Sequence, residues 1–341
     1  MKTVIKILLA IVMLPCLVSA QPAAQPTQAS GEEKIVQKAY AWTPLWPSGL
    51  QEPAPMDTLD YNYFQRSIPS AVSYAYACTG NLGAEGKDML FMQQQPISQF
   101  FLLDAQRHWI PTLDKVKFYN TRIPMTIASY NFGGNRDNGQ DRLQVDFSGN
   151  INKRAQVGAT LDYLYSKGCY ANQAAKGFTW GFNGSYIGDQ YEFQGSWTHF
   201  NNLNKENGGI TNDLYITDPA KLQGGVSSIN PKSIPTNLTH AHTRVKGGVL
   251  FLNNRYKLGF WRDEMLEDST TVSSYVPVTS FFWTMTYLDG KHRFLDDNYS
   301  ETDKFFAHTY LNPDLTDDHT SYWALGNTAG VSMLEGFNRW A

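Results

Sequence analysis

The sequence predicts an all-β protein, a transmembrane antiparallel up-and-down β-barrel of about ten strands. The first observation behind this prediction is that apolar and polar residues alternate with a period of two over long stretches of the chain. The second is the composition: charged residues make up 17% and aromatic residues 14%, whereas soluble domains usually contain about 25% charged residues. We therefore expect much of the protein surface to face lipid rather than water.

Residues 1–20 have the features of a secretory signal peptide. Two lysines precede an apolar run over residues 7–18, and small residues lead up to Ala20, after which cleavage is expected. The alternative is a lipoprotein signal acylated at Cys16, but Pro15 fits poorly before such a cysteine. No other part of the sequence has the ~18 consecutive apolar residues of a transmembrane helix. Any membrane span of the mature chain is therefore expected to be a strand.

Residues 21–69 predict a periplasmic lead-in before the first strand. They are polar, rich in Pro, Gln and Ala, and contain a Trp-Pro segment at 42–47. Such a composition favours an extended chain. We assign residues 70–341 to membrane-spanning barrel strands with long outer loops, beginning with three weaker strand candidates. These candidates lie at 70–79, 98–109 and 115–130.

The clearest alternation lies between residues 142 and 198, where four predicted strands form two hairpins. Within the first strand, Leu143 and Val145 alternate with Gln144 and Asp146, so one face is apolar and the other is polar. Each strand is about ten residues long, which is the span of a tilted transmembrane strand. The four strands cover 142–151, 157–166, 178–186 and 191–198, and less regular ones follow at 247–260, 276–288 and 320–333.

The connections between predicted strands alternate in length, as they do in membrane barrels with short periplasmic turns and long outer loops. The short ones lie at 110–114, 152–154 and 188–190, and the long ones at 131–141, 167–177, 201–246 and 289–319. Connection 261–275 is the exception, because it is long for a periplasmic turn. Loop 201–246 could fold inward and constrict a pore, fold outward as a surface for partners, or form a purely structural cap, and the sequence leaves all three open.

A soluble secreted β-sandwich also alternates polar and apolar residues and is the alternative fold. The exposed face of a sandwich is usually rich in Lys, Glu and Arg. The polar face predicted here consists mostly of Ser, Thr, Asn, Gln and Gly, while the apolar face is crowded with Trp, Tyr and Phe. This contrast favours the barrel.

The charge balance and the cysteines bear on partners and redox chemistry. Loss of the signal peptide removes two of the 28 basic and none of the 31 acidic residues, which leaves a formal charge of −5. Since the chain has no basic run, we expect no nucleic-acid partner. Cys78 and Cys169 remain in the mature chain, either bridged in an oxidising periplasm or as two unpaired thiols.

No group of residues predicts catalysis, a metal site or a cofactor, and we expect the protein not to be an enzyme. His240 and His242 lie in a long loop without a spaced third ligand. Residues 135–141 faintly resemble a calcium loop but lack the bidentate glutamate. Asp104 and His108 could form an acid/base pair, but no nucleophile is placed beside them.

The polar strand face is the candidate functional surface. If this face lines a lumen, its charged side chains bring both signs into that lumen, and such charges set the selectivity for ions and solutes. The inferred pore-lining residues are Arg142, Asp146, Asp162, Glu192, Arg255 and Lys257. The alternative is a plugged or structural barrel whose inward charges pair with each other.

Several segments resemble the Bacteroidetes putative porin family of Gram-negative outer membranes. These segments are Pro55-Met56-Asp57-Thr58 with Asn81-Leu82-Gly83, Phe118-Tyr119-Asn120-Thr121, and the stretches 206–213, 229–231, 234–238 and 255–260. The resemblance runs from about residue 40 to the end, and the loop motifs are its most specific part. It implies an outer-membrane β-barrel with channel activity and without a catalytic motif.

The resemblance also predicts a truncated chain. Members of the family resemble this sequence through its final residues and then continue for many more strands, whereas this sequence ends at 337–341 without a closing strand. An incomplete barrel would leave its first and last edges unpaired in lipid.

Taken with the resemblance, these observations predict an outer-membrane porin that forms a water-filled channel for passive diffusion of small hydrophilic solutes. The expected partners are outer-membrane lipid, those solutes and the barrel-assembly machinery. The alternative function is a structural or adhesive outer-membrane barrel with ligand-binding surface loops.

Overall fold

The computed structural model describes residues 39–56, 73, 75–94, 96–98, 100–121, 123–222, 224–225, 227–265, 271–298, 305–306 and 315–333. The predicted signal peptide and the first part of the predicted lead-in lie outside these residues. Strands dominate the described part of the chain, and all paired strands are antiparallel, which confirms the predicted all-β class.

The described strands fall into three sheets. In chain order they are β1 (Tyr40–Leu45), β2 (Leu50–Ala54), β3 (Tyr76–Cys78), β4 (Gly86–Asp88), β5 (Phe118–Asn120), β6 (Met125–Gly133), β7 (Gln140–Asn150), β8 (Ala155–Ser166), β9 (Ala175–Ile187), β10 (Tyr191–Lys205), β11 (His242–Met265), β12 (Thr271–Asp296) and β13 (Thr316–Met333). Two short helices, α1 (Leu214–Thr217) and α2 (Pro219–Leu222), lie between β10 and β11. Single 3₁₀ segments occupy Phe91–Gln93, Phe101–Trp109, Leu113–Lys115 and Pro231–Ser233.

The main sheet has eight strands in the order β13-β12-β11-β10-β9-β8-β7-β6, so each strand pairs with its neighbours in sequence. The four strands predicted between residues 142 and 198 are confirmed as β7 to β10. Strands β6 and β13 pair on one side only within the described residues, and the sheet is therefore open.

Short polar turns join the strands at one end of the main sheet. The β7–β8 turn is closed by the Asn152 side chain, whose Oδ1 accepts hydrogen bonds of 2.8 Å from the backbone N–H groups of Arg154 and Ala155. Asn side chains stabilise turns in this way because their carbonyl oxygen can replace a backbone acceptor. The β9–β10 turn closes with a hydrogen bond from Gly188 N–H to Tyr191 O.

Strands β11 and β12 are much longer than predicted, with 24 and 26 residues. Most of the predicted connection 261–275 is therefore strand, with Trp261 paired to Tyr275. Beyond a register shift at Leu258/Gly259, residues 259–265 and 271–277 pair with each other and, among the described residues, with no other strand. We call this two-stranded extension the β11–β12 ribbon.

Two of the three weaker strand candidates are not strands of the main sheet. Most of candidate 98–109 is the 3₁₀ segment Phe101–Trp109. The predicted turn at 110–114 does not join two strands, because it runs into the 3₁₀ segment Leu113–Lys115. The apolar residues here form one packed patch, in which Leu103 and Ile110 contact Phe200 and Val245 of the main sheet. Among its described residues, candidate 70–79 contains the three-residue strand β3, which pairs with β4. Candidate 115–130 divides into β5 and β6.

The two faces of the main sheet have the opposite burial from that of a water-soluble sheet. Large apolar side chains are exposed on one face, such as Phe182 at 57% and Trp323 at 69%. On the other face, amides such as Gln194 and Asn253 are completely buried. We call these the apolar face and the polar face. They correspond to the faces predicted from the period-two alternation.

The polar face is covered by the described residues between 39 and 121, which we call the N-terminal segment. Residues 40–54, in the predicted lead-in, form the β1–β2 hairpin, and β5 pairs with the other edge of β1. The Trp42 Nε1–H group donates to Gln194 Oε1 at 3.3 Å, and Gln194 Nε2 donates to Gly49 O at 2.9 Å. Asn253 Nδ2 donates to Ser48 O at 3.3 Å. Gln194 and Asn253 are thus hydrogen-bonded to the segment that covers them.

Among the described residues, no helix has both the length and the apolar character needed to cross a membrane.

The turn between β1 and β2 provides a test of this packing. Gly49 has φ +67°, and a Cβ there would collide with the side chain of Asn253, which is buried and held by hydrogen bonds. We expect Gly49→Ala to destabilise the protein by about 2–4 kcal/mol, because left-handed strain adds to a steric clash. Thermal unfolding followed by tryptophan fluorescence measures this change.

The matched control is Gly224→Ala, since Gly224 has φ +61° but a Cβ added there would meet no heavy atom within 4 Å. It should cost clearly less than Gly49→Ala. Equal losses for the two variants would mean that the hairpin turn does not rest on Asn253.

Candidate pore-lining face

All six inferred pore-lining residues lie on the polar face. The strand register explains this, because residues directly opposite each other in paired strands point to the same side. Glu192 of β10 is opposite Arg255 of β11, and Asp146 of β7 is opposite Thr160 of β8, two residues before Asp162. The six residues do not form one ring. They gather into two clusters, one on β7 and β8 and one on β10 and β11.

The first cluster is built around Arg142 and Asp162. Arg142 binds the carboxylate in a bidentate manner, with Nε 3.0 Å from Oδ1 and Nη2 2.6 Å from Oδ2. Gln144 Nε2 also donates to Asp162, and the guanidinium lies 5.5 Å from the ring centre of Trp109 in the N-terminal segment. Bidentate pairing and ring stacking fix the orientation of Arg142.

The second cluster is built around Glu192. Its carboxylate lies 2.5 Å from Lys257 Nζ and 4.0 Å from Arg255 Nε. Arg255 is 2% exposed and donates to Ser280 Oγ at 2.9 Å and to Ser48 O at 3.0 Å. The cluster therefore joins three strands of the main sheet to the β1–β2 turn. A buried guanidinium needs such partners, because desolvation of an unpaired charge is costly.

Asp146 is the one member of the six without an ion pair among the described residues. It lines a cavity of about 300 Å³ between the polar face and residues 108–119 of the N-terminal segment. Lys117 and Tyr119 line the same cavity, together with Arg142 and Asp162. Burial, reinforced by the nearby Asp146 carboxylate, raises the pKa of Tyr119 to about 12, so its phenol stays neutral at physiological pH. The cavity is polar and carries both charge signs.

The sequence did not reveal that the N-terminal segment covers this face. The Trp-Pro segment at 42–47 was the one visible sign, since a large aromatic residue in a polar stretch needs a buried environment. In the structure, Trp42 is 1% exposed and stacks on Phe118 with ring centres 5.7 Å apart.

The other chemical groupings noted in the sequence are held in structural contacts. Asp104 pairs with Arg107 at 3.1 Å and His108 with Asp88 at 3.3 Å, so Asp104 and His108 have separate partners. His240 lies 3.0 Å from Asp297. No cluster of three or more His, Cys, Asp or Glu side chains within the described ranges is arranged to hold a metal ion. Cys78 and Cys169 are both exposed free thiols.

The connection between β10 and β11 is shorter than predicted, because the two strands extend to Lys205 and back from His242. It is an ordered unit: Ile210 bridges Thr236, and Asn237 Nδ2 donates to Gly208 O at 2.9 Å. Lys232 Nζ donates to two carbonyls of the β8–β9 connection at 2.9 and 2.8 Å. This loop therefore packs against the neighbouring long connection.

Comparison with known proteins identifies one family. The family described as Putative porin matches residues 40–341, which is most of the chain. No curated protein and no solved structure matches the chain.

The Glu192 cluster yields a stability prediction. Replacing Glu192 with Gln leaves Arg255 and Lys257 side by side without a carboxylate, and Arg255 is buried. We expect Glu192→Gln to cost about 3 kcal/mol of unfolding free energy, the scale on which one partner of a buried ion pair is lost. Urea unfolding in the membrane-mimetic medium in which the protein is purified provides the measurement.

Asp189→Asn is the control, because it removes a carboxylate of similar geometry, 2.5 Å from Arg154, at an exposed turn. Its unfolding curve should overlay that of the parent protein. A Glu192→Gln curve that also overlays the parent would contradict a structural role for the cluster.

Proposed function

We propose that this chain, which belongs to the Putative porin family, forms a narrow outer-membrane channel for small hydrophilic solutes. The observation that carries the proposal is the polar, two-signed cavity of about 300 Å³ that remains between the N-terminal segment and the polar face. Water and small solutes would pass through such spaces, because their polar groups can exchange hydrogen bonds with the lining side chains.

The apolar face supports a membrane location. Exposed Phe, Trp, Leu and Tyr side chains follow one another along strands β9 to β13, as at Trp197, Leu258 and Trp283. Contiguous exposed apolar surface of this kind is unfavourable in water and favourable in lipid. The polar face then points away from the lipid.

The connection lengths support an orientation. The strand ends at 150/155, 187/191 and 265/271 lie at one end of the main sheet, and the strand ends at 133/140, 166/175, 205/242 and 296/316 lie at the other. With short turns on the periplasmic side, the family's barrel would present its longer connections to the outside.

The lining charges support weak selectivity. The six residues comprise three cations, Arg142, Arg255 and Lys257, and three carboxylates. Because the two signs balance over the six residues taken together, a channel along this face would distinguish poorly between small anions and cations.

One observation favours a second candidate, a plugged or structural barrel. Five of the six charged residues are paired with one another, and the N-terminal segment covers the polar face. In that case the protein would hold solutes or partners at its loops without conducting. A conductance measurement separates the two functions.

The full-length protein reconstituted in a planar bilayer should conduct, with a reversal potential near zero in a potassium chloride gradient. Trp42→Ala should raise the single-channel conductance. Loss of a buried Trp weakens local packing by about 3–5 kcal/mol, so the β1–β2 hairpin would leave the polar face more often.

Trp197→Ala is the matched control, because Trp197 lies on the apolar face and its loss should not change the conductance. Bilayers that stay silent with both the parent protein and Trp42→Ala would favour the structural barrel.

The apolar face is tested at Phe182, which is 57% exposed. Phe182→Arg should reduce folding stability in lipid vesicles by about 2–4 kcal/mol, while Phe182→Leu should cost much less, since lipid accepts Leu and penalises a cation. Urea titration of vesicle-folded protein measures both. If the two variants were equally stable, this face would lie in water and the membrane location would be wrong.

A further inference from the structure

A second and larger cavity lies near the end of the main sheet where the long connections emerge. Its volume is about 530 Å³, and this open cleft is bounded by the 3₁₀ segment Phe101–Trp109, the ends of β11 and β12, and the start of the β10–β11 connection. Its polar lining includes Glu85, Gln106, Glu206, Thr243 and His292. This volume falls in the range of small-molecule sites in proteins.

Two carboxylates face this cavity without a basic partner. Glu85 Oε1 accepts hydrogen bonds of 2.8 Å from Gln106 Nε2 and from Asn204 Nδ2. Burial first, and the neighbouring Glu85 charge second, raise the pKa of Glu206 to about 7. No Lys or Arg is among the described residues that line the cavity, and His292 is the other titratable group there. The lining of the cavity therefore carries a net negative charge at neutral pH.

Independent of the carboxylates, two buried amides lack a donor. Gln106 is 1% exposed and lines the cavity, and its Oε1 has no partner among the described residues. Asn204, which also donates to Glu85, is buried with its Oδ1 equally unpartnered. Buried acceptors without donors are rare in proteins, because leaving one unsatisfied costs free energy. Gln106 therefore leaves this cavity with an acceptor that no donor satisfies, and Asn204 does the same in the neighbouring cavity that it lines.

The opposite wall is aromatic. Phe305 and Phe306 meet edge to face at 5.0 Å between ring centres, and Phe306 packs against Phe294 at 5.9 Å. Phe101 and Leu238 extend this wall. Phenylalanine faces attract cations and bury the apolar part of a ligand. The cavity thus joins an acceptor-rich acidic end to an aromatic end.

We propose that this cavity binds a primary ammonium group carried on an apolar, preferably aromatic, body. An ammonium offers three donors and no acceptor, which matches the Glu85 and Glu206 carboxylates and the free Gln106 Oε1. The apolar body lies against the phenylalanines. This site goes beyond the channel function and does not require conduction.

The experiment is isothermal titration calorimetry of the purified full-length protein in detergent, with phenethylammonium as the probe. The comparison ligand is 2-phenylethanol, which keeps the ring and replaces the ammonium with a hydroxyl. Phenethylammonium should bind saturably at pH 8 and at least roughly tenfold more tightly than the alcohol, the effect of one charge-assisted hydrogen bond. Equal affinity for the two probes, or no saturable binding of either, would overturn the proposal. This comparison needs no variant.

Glu206→Gln assigns the binding to the cavity and should weaken phenethylammonium roughly tenfold or more. Asp213→Asn is the matched control, because it removes an exposed carboxylate from the same connection without touching the cavity. Its affinity should equal that of the parent. If Glu206→Gln bound as tightly as Asp213→Asn, the ammonium would not lie in this cavity.

Affinity should also rise as pH increases from 6 to 8, because the cation displaces the proton that Glu206 holds below about pH 7. Glu85 and His292, the other titratable groups in the lining, remain in Glu206→Gln. Any pH dependence of the affinity that the parent protein shows and Glu206→Gln lacks is therefore due to Glu206. A parent protein whose affinity does not change over this range would contradict the role given to that carboxylate.

Discussion

The structure depends on hydrogen bonding between the polar face of the main sheet and the backbone of the N-terminal segment. In this protein the polar side of the sheet is the side removed from solvent, so each amide and charge there needs a protein partner. The carbonyls of Ser48 and Gly49 supply such partners to Asn253, Arg255 and Gln194. A single tight turn thus satisfies side chains on two strands, and the apolar face can then remain exposed.

The same constraint shapes the charges. Ion pairs on the polar face form between neighbouring strands, as between Arg142 and Asp162 or between Glu192 and Lys257. Each pair lowers the cost of burying its members, because attraction and hydrogen bonds offset desolvation. Asp146 and Glu206 differ, since each faces a cavity instead of a paired cation. The carboxylates that remain available to bind a ligand are therefore the ones that line the two cavities.

The sequence predicted what depends on local alternation and missed what depends on distant contacts. The period of two identified β7 to β10 and placed Arg142, Glu192 and the other candidate residues on one face, since side-chain direction follows directly from strand geometry. It could not show which of them pair, because pairing also depends on strand register. The segment at 98–109 was misassigned because its apolar residues contact Phe200 and Val245, far away in the chain. Glu85 and Glu206 line the same cavity although they are 121 residues apart in the chain, and no local sequence pattern predicts such proximity.

The β11–β12 ribbon allows a force to act on the main sheet at the end where the short turns lie. Its seven residues from 259 to 265 extend about 20 Å past the neighbouring strands at roughly 3.3 Å per residue. Because its own ladder is the only strand pairing that holds it within the described part of the chain, it acts as a lever fixed at the register shift beside Leu258. A sideways load on its tip is transmitted to Lys257, the cation that faces Glu192. A contact made at the far end of the ribbon can in this way strain the buried ion cluster without reaching it directly.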